Sequence, residues 1–189
     1  MIALRDARPI DAEGIARVQV AGWRHAYSGF MPADFIAARD LAVRTREWRE
    51  RLAAPAPGTI GLLADKAGQV VGIASGGPPL GDETIMEGDI KGFSAQVYGL
   101  YIEPGLIGQG IGRRLLGNLA GRLARAGHAN LVLWAFERNP FRRFYDRIGG
   151  RVIARGVWNV DQVSLNEIAY GWADIRVLIQ ACVQGVKTE

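Results

Sequence analysis

Residues 96–127, QVYGLYIEPGLIGQGIGRRLLGNLAGRLARAG, read in succession as a strand, a glycine-rich turn and an amphipathic helix. Val97, Leu100 and Ile102, set among Tyr98 and Tyr101, have the make-up of a buried, pleated segment. Pro104 ends it, because a fixed φ and a missing N–H do not suit a ladder. Gly105, Gly108, Gly110 and Gly112 follow, and then Leu115, Leu116, Leu119 and Leu123 recur with helical spacing.

Glycines let the backbone approach a ligand closely, and the first N–H groups of a helix lack intrahelical partners. Such a turn suits an anion. The first helical turn also carries Arg113 and Arg114 and no acid. Those cations oppose the helix dipole by roughly 0.3–1 kcal/mol each unless an anion docks between them. The plainer reading is a flexible turn with two solvated arginines. A Walker loop is excluded, since Gly112-Arg113-Arg114 lacks the Gly-Lys-Ser/Thr run. The dinucleotide fingerprint fails as well, because Arg113 stands where its third glycine belongs.

Residues 107–112, IGQGIG, resemble the Q/R-x-x-G-x-G/A pyrophosphate loop of the GNAT superfamily of acyl-CoA N-acyltransferases. GLYIEP before the loop and RRLLGNLA after it are similar to that family's fourth strand and third helix. Asn139, the pair Phe144-Tyr145 and Gly149-Gly150 resemble its second signature. Ile107 stands where Gln or Arg is usual, which leaves the backbone donors in place and removes one supporting side chain. The resemblance follows the element order of the whole chain, with its specific motifs between residues 96 and 150. It implies an α/β (α+β) fold: a twisted, mainly antiparallel sheet of about seven strands with helices on both faces. Strands 4 and 5, carrying Leu100 and Leu131, would splay to admit the pantetheine arm of coenzyme A.

The same resemblance implies a set of site residues. Ile107, Gly108, Gln109, Gly110, Ile111 and Gly112 would cradle the coenzyme A pyrophosphate with help from Arg113. Backbone groups of Leu100, Tyr101 and Ile102 would bond the pantetheine arm, with Asn139 on its other side and Arg143 near the nucleotide end. Tyr145 would be the catalytic acid, since a phenol of pKa about 10 can protonate a thiolate whose conjugate acid lies at about 8.5. By spacing alone, Tyr145 completes an apolar stripe with Phe141, Phe144 and Ile148 and reads equally well as core. Many family members place a Glu base where this chain has Gln96, whose amide does not take up a proton at neutral pH. Glu87, Asp89, Glu103 or a water relay stand as substitutes, and no base is assigned. Trp23, Tyr27, Phe30 and Trp158 are candidates for an acceptor pocket, each as readily core by its burial tendency. The run W-x-x-x-Y-x-G-x-x-P from Trp23 to Pro32 is similar to that of small-molecule N-acetyltransferases, the phosphinothricin type included. Acidic residues Asp82, Glu83, Glu87 and Asp89 would attract an ammonium group.

Composition narrows the classes. A chain of 189 residues, 49% apolar and 22% charged, suits one soluble domain spanning residues 1–189. The net charge of +4 is arginine-rich around the glycine loop, which a polyphosphate cofactor explains more economically than nucleic acid. One cysteine, Cys182, allows no internal disulfide and no cysteine-based metal cluster, and fits a cytoplasmic setting. Two separated histidines, His25 and His128, do not make a metal site. No segment reaches the roughly 18 apolar residues of a membrane span, and no signal-peptide pattern opens the chain.

Taken in order, residues 2–5 read as an edge strand, and Asp11 as the N-cap of a helix that ends near Gly29. Two helical pieces cover 32–39 and 41–52, and a hairpin joins 59–64 to 69–75. Residues 76–92 read as a long loop, 131–135 as a buried strand, and Pro140 as a helix start with Asn139 as its cap. Strands over 151–157 and 164–172, joined through Trp158, and a helix over 174–183 close the chain. The function implied is transfer of an acetyl group from acetyl-CoA to a primary amine, small-molecule or protein-borne, by direct attack in a ternary complex. Neither a metal nor nucleic acid nor a membrane is expected, and exposed strands and aromatics leave a homodimer open. The competing reading is an acyl-CoA-binding sensor without catalysis, since Gln96 and Ile107 both depart from the family pattern.

Overall fold

A computed structural model describes residues 1–81, 84–160 and 162–184. Strand β1 (Ile2–Asp6) leads through a 3-10 turn into α1 (Ala12–Tyr27), then α2 (Ala33–Ala37) and α3 (Leu41–Ala53). Strands β2 (Ile60–Lys66), β3 (Gln69–Gly77), β4 (Thr84–Gly88) and β5 (Gln96–Ile102) precede α4 (Ile111–Arg125). The chain ends with β6 (Leu131–Phe136), α5 (Arg143–Arg147), β7 (Arg151–Val160), β8 (Val163–Trp172) and α6 (Ile175–Gln184). One sheet takes all eight strands in the order β1-β2-β3-β5-β6-β8-β7-β4. Every pairing is antiparallel except β5 with β6.

Helices cover both faces, which is why the central strands read as near-continuous apolar runs. Leu62 and Ala64 of β2 point to the side of α4, where Leu115, Leu116, Leu119 and Leu123 are fully buried with Leu178 of α6. Leu63, between them, points to the other side and packs with Ile15 and Val18 of α1 and Trp48 of α3. The β2–β3 hairpin closes on Lys66 and Gln69. Its two loop residues, Ala67 (φ 52°) and Gly68 (φ 84°), have the paired positive φ values that match the twist of the flanking strands.

Three local expectations change. The 76–92 loop contains β4, which is why there are eight strands and not about seven. All five residues of β4 are exposed, so no alternation of burial marks it in the sequence. It lies against β7, and Gly88 is required there: at φ 82°, a Cβ would come within 2.2 Å of the Ile153 carbonyl oxygen. Trp158 belongs to β7, paired with Leu165, and not to a connecting loop. Asp11 sits at the N-cap position of α1, but its side chain does not cap that helix. Its buried carboxylate accepts two hydrogen bonds from Arg5, both 2.8 Å, and one from the Arg8 N–H. Of the acids expected to form an acidic loop, Asp82 and Glu83 lie outside the described residues.

Candidate active site

The parallel pair β5–β6 is short. Gln96 lies opposite Val132 and Val97 opposite Leu133, and there the pairing stops. Beyond it, Leu100, Tyr101 and Ile102 remain paired only to β3, while Ala135 and Phe136 pair only to β8. An unpaired strand edge is left facing the gap, and such an edge offers backbone donors and acceptors to an extended ligand. A cavity of about 610 Å³ occupies this gap, within the range of sites for small ligands and cofactors.

One end of the cavity is the glycine loop. Gly108 (φ 88°) and Gly110 (φ 78°) are left-handed, and Gly110 is the N-cap of α4. The first intrahelical bond of the turn is Arg114 N–H to Gly110 carbonyl. The N–H groups of Ile111, Gly112 and Arg113 are therefore the orphan donors of this helix end, and no acid stands in its first turn. Ile107, Gly108, Gly110, Ile111, Gly112 and Arg113 all line the cavity, whereas Gln109 does not. Arg113 is partly committed: its guanidinium donates to the Ala181 carbonyl on α6. Arg114 turns away to the Ile2 carbonyl, 3.0 Å off. Arg143 and Arg147 supply two further cations to the wall.

The other walls come from α1 and from the turn after β6. Leu100, Tyr101, Ile102, Asn139, Arg143 and Tyr145 line the cavity together. The helix expected to start at Pro140 begins at Arg143, with Arg142 and not Asn139 at its N-cap; Asn139 Oδ1 instead accepts the Phe141 N–H at 2.9 Å and fixes the turn before α5. Tyr145 is 9% exposed, its ring packed between Phe144 and Tyr170. Its hydroxyl has no hydrogen-bond partner among the described residues, although it lines the cavity. Burial pushes its pKa well above that of a free phenol, and neighbouring Tyr101 and Tyr170 add to the rise. The phenol therefore stays protonated at any physiological pH.

Of the acceptor-pocket candidates, Tyr27 alone lines this cavity. Trp23, Phe30 and Trp158 pack instead into an aromatic cluster with Phe35 and Phe136, with Trp158 and Phe136 ring centroids 5.3 Å apart. Phe30 also lines a smaller cavity of about 240 Å³ beside Glu137 and Arg138. Sequence reading passed over Gly22, His25, Leu106, Phe141 and Arg147, all of which line the main cavity. His25 and Phe141 stack at 5.6 Å from α1 to the turn after β6, a pairing across 116 residues that no local pattern signals.

No carboxylate lines the main cavity among the described residues. Gln96 does not reach it either: its Oε1 accepts the Leu80 N–H at 3.0 Å, pinning the segment after β3. Glu103 is engaged by Arg17, Glu87 lies 3.9 Å from Arg155, and Asp89 accepts the Lys91 N–H. Cys182 is buried between α4 and α6, outside the cavity, where burial pushes its thiol up to about 11. Among the described residues no cluster of three or more His, Cys, Asp or Glu is arranged to hold a metal, and no helix is long and apolar enough to cross a membrane.

A split sheet, a glycine-capped helix start and a cavity joining them also describe a known family. The profile of the Acetyltransferase (GNAT) family matches residues 21–150, and the chain belongs to that family and is an acetyltransferase. An uncharacterized N-acetyltransferase, YuaI of Bacillus subtilis strain 168, is 28% identical over 178 residues, covering 94% of this chain and 96% of the relative. The PaiA N-acetyltransferase of Thermoplasma acidophilum, solved with coenzyme A, shares the fold at a TM-score of 0.66 and 17% identity, over 91% of this chain and 99% of that one. The yncA protein of Salmonella typhimurium, solved with acetyl-CoA, does so at 0.62 and 21%, over 92% and 94%.

Proposed function

We propose that this protein, acting as one domain in the cytoplasm, transfers an acetyl group from acetyl-CoA to a primary amine by direct attack in a ternary complex. The observation that carries the reading is one continuous cavity. It runs from the orphan N–H groups of α4, past three arginines, to the buried phenol of Tyr145. The pyrophosphate would rest on the N–H groups of Ile111, Gly112 and Arg113, and the pantetheine arm along the open edge of Leu100–Ile102. The amine is a small molecule or a protein amino group.

In the transfer, the amine lone pair attacks the thioester carbon and the C–S bond breaks. The sulfur takes its proton from Tyr145, and the phenol regains one from the acetylated nitrogen. Exchange of the two protons in one step avoids a buried tyrosinate, which burial makes costly. Among the described residues, no cysteine lines the cavity to carry the acyl group. Calorimetric titration with acetyl-CoA, beside free CoA and NADH, tests the cofactor. Micromolar binding of acetyl-CoA but not NADH is expected, followed by thiol release in a screen of primary amines. Folded protein that binds no coenzyme A would overturn the proposal.

A further inference from the structure

Acyl transfer needs a donor for the carbonyl oxygen as well as for the sulfur, because negative charge gathers on that oxygen when the carbon becomes tetrahedral. Tyr145 is committed to the sulfur under the acetyl-transfer reading, on which the following rests. A second phenol in the same cavity has the right orientation. Trp23 Nε1 lies 3.1 Å from the Tyr101 hydroxyl, and an indole N–H can only donate. Tyr101 Oη is therefore the acceptor in that bond, and its own proton is not used there. Among the described residues nothing else accepts that proton.

The ring carrying this hydroxyl is held from three sides. A Cβ at Gly99, two residues back on β5, would come within 2.7 Å of Tyr101 Cε2, so the ring lies back over the strand only because position 99 is glycine. A Cβ at Gly22 of α1 would sit 3.5 Å from Tyr101 Cδ1, so the helix backbone closes over the ring's other flank. Trp23, one residue further on, fixes the oxygen. Tyr101 packs with the α1 side of the sheet and Tyr145 with the α4 side. The two phenols therefore enter the gap between β5 and β6 from opposite faces and line one cavity. A thioester lying in the gap has its sulfur toward one and its oxygen toward the other.

We propose that the Tyr101 hydroxyl donates the hydrogen bond that stabilises the thioester carbonyl oxygen, and that Trp23 positions it. The direction of the Trp23 bond decides against the converse role, that of accepting from the amine. A hydroxyl that already accepts a hydrogen bond is a better donor and a poorer further acceptor. In the balanced step the carbonyl π pair moves to oxygen as the N–C bond forms, with Tyr101 bonding that oxygen without giving up its proton. The pair returns as the C–S bond breaks, and the only protons transferred are the two exchanged at Tyr145.

The test is infrared difference spectroscopy of acetyl-CoA labelled with ¹³C at the carbonyl, on wild type, Tyr101→Phe, Gly99→Ala and Trp23→Phe, each first titrated calorimetrically with acetyl-CoA. Wild type is expected to lower the bound carbonyl frequency. Tyr101→Phe restores it at unchanged coenzyme A affinity, and thioester cleavage slows about 100-fold, the effect of losing one such donor. Gly99→Ala keeps the hydroxyl but displaces the ring and also restores the band, and Trp23→Phe gives an intermediate shift. An identical carbonyl band in wild type and Tyr101→Phe, with both binding acetyl-CoA, overturns the assignment of Tyr101 alone. A wild type that binds no acetyl-CoA overturns the acetyl-transfer reading itself.

Discussion

Replacing Gly110 by valine isolates the contribution of the backbone at the start of α4. Nothing lies within 4 Å of a Cβ built on Gly110, so no wall of the protein is struck. What changes is conformation, since φ is 78° and a β-branched residue resists that region at a cost of about 1–3 kcal/mol. Two responses are open to the chain. If the turn holds its shape, stability falls by that amount and the N–H groups stay aimed. If the turn relaxes to negative φ, stability is kept and the donors of Ile111 and Gly112 swing off the phosphate. Each hydrogen bond to a charged group contributes about 1.5–3 kcal/mol, so losing one weakens acetyl-CoA binding about 10- to 150-fold. Thermal melting and calorimetry on the same samples separate the two responses, with Gly105→Ala as control. Gly105 also has nothing within 4 Å of its Cβ, and it lacks a positive φ, so neither quantity should move. A Gly110→Val protein with wild-type melting temperature and wild-type acetyl-CoA affinity would refute the reasoning.

Four further outcomes are expected. Tyr145→Phe lowers kcat by about 10²- to 10⁴-fold, the usual contribution of a positioned acid, while calorimetry shows unchanged affinity for coenzyme A. Because burial raises the Tyr145 pKa, its proton stays bound as pH rises, and the wild-type pH–rate profile shows no loss from this group below about pH 10. Asp11→Ala leaves Arg5 half-buried without its main partner and costs about 3 kcal/mol in urea unfolding, at the low end for buried pairs because Arg5 is 31% exposed. Arg5 holds the Asp11 carboxyl below its usual range, so its contribution is full above about pH 4 and disappears as pH falls through the lowered value. The variant should accordingly show weaker acid destabilisation than wild type. Gln96→Glu does not raise kcat, because the side chain holds Leu80 outside the cavity, while Gln96→Leu loses that clasp and about 1–3 kcal/mol of stability. A rate increase in Gln96→Glu would show that position 96 reaches the reacting atoms after all.

The parts of this fold that were legible in the sequence are those whose signal is local. The leucine stripe of α4, the β2–β3 hairpin with its turn placed within 65–68, and the glycine turn each carry their pattern within about a dozen residues; that the strands run on to Lys66 and leave a two-residue loop was not read. β4 was illegible because an exposed edge strand buries nothing and so has no alternation to read. Of the cavity lining, the glycine-loop positions were read from turn chemistry and Tyr145 from the family resemblance alone. The partners that meet over long separations did not: Trp23 reaches Tyr101 across 78 residues, and His25 reaches Phe141 from another element altogether. Gln96 shows the reverse failure. Its alignment position announced a missing base, while its surroundings give it the job of a clasp on Leu80.

The brief pairing of β5 with β6 also governs how force passes through the molecule. Two groups of four strands, β1-β2-β3-β5 and β6-β8-β7-β4, are joined through the sheet, among the described residues, only at Gln96–Val132 and Val97–Leu133. Yet the chain crosses between those groups repeatedly, from β3 out to β4, back to β5, and out again to β6. The two groups are thus the leaves of one book, bound at the two paired positions and stitched by the crossings of the chain. A cofactor lying in the gap takes up hydrogen-bonding edges that the folded chain leaves unpaired. Its binding free energy then adds to the cohesion of the two leaves and raises the unfolding temperature with cofactor concentration.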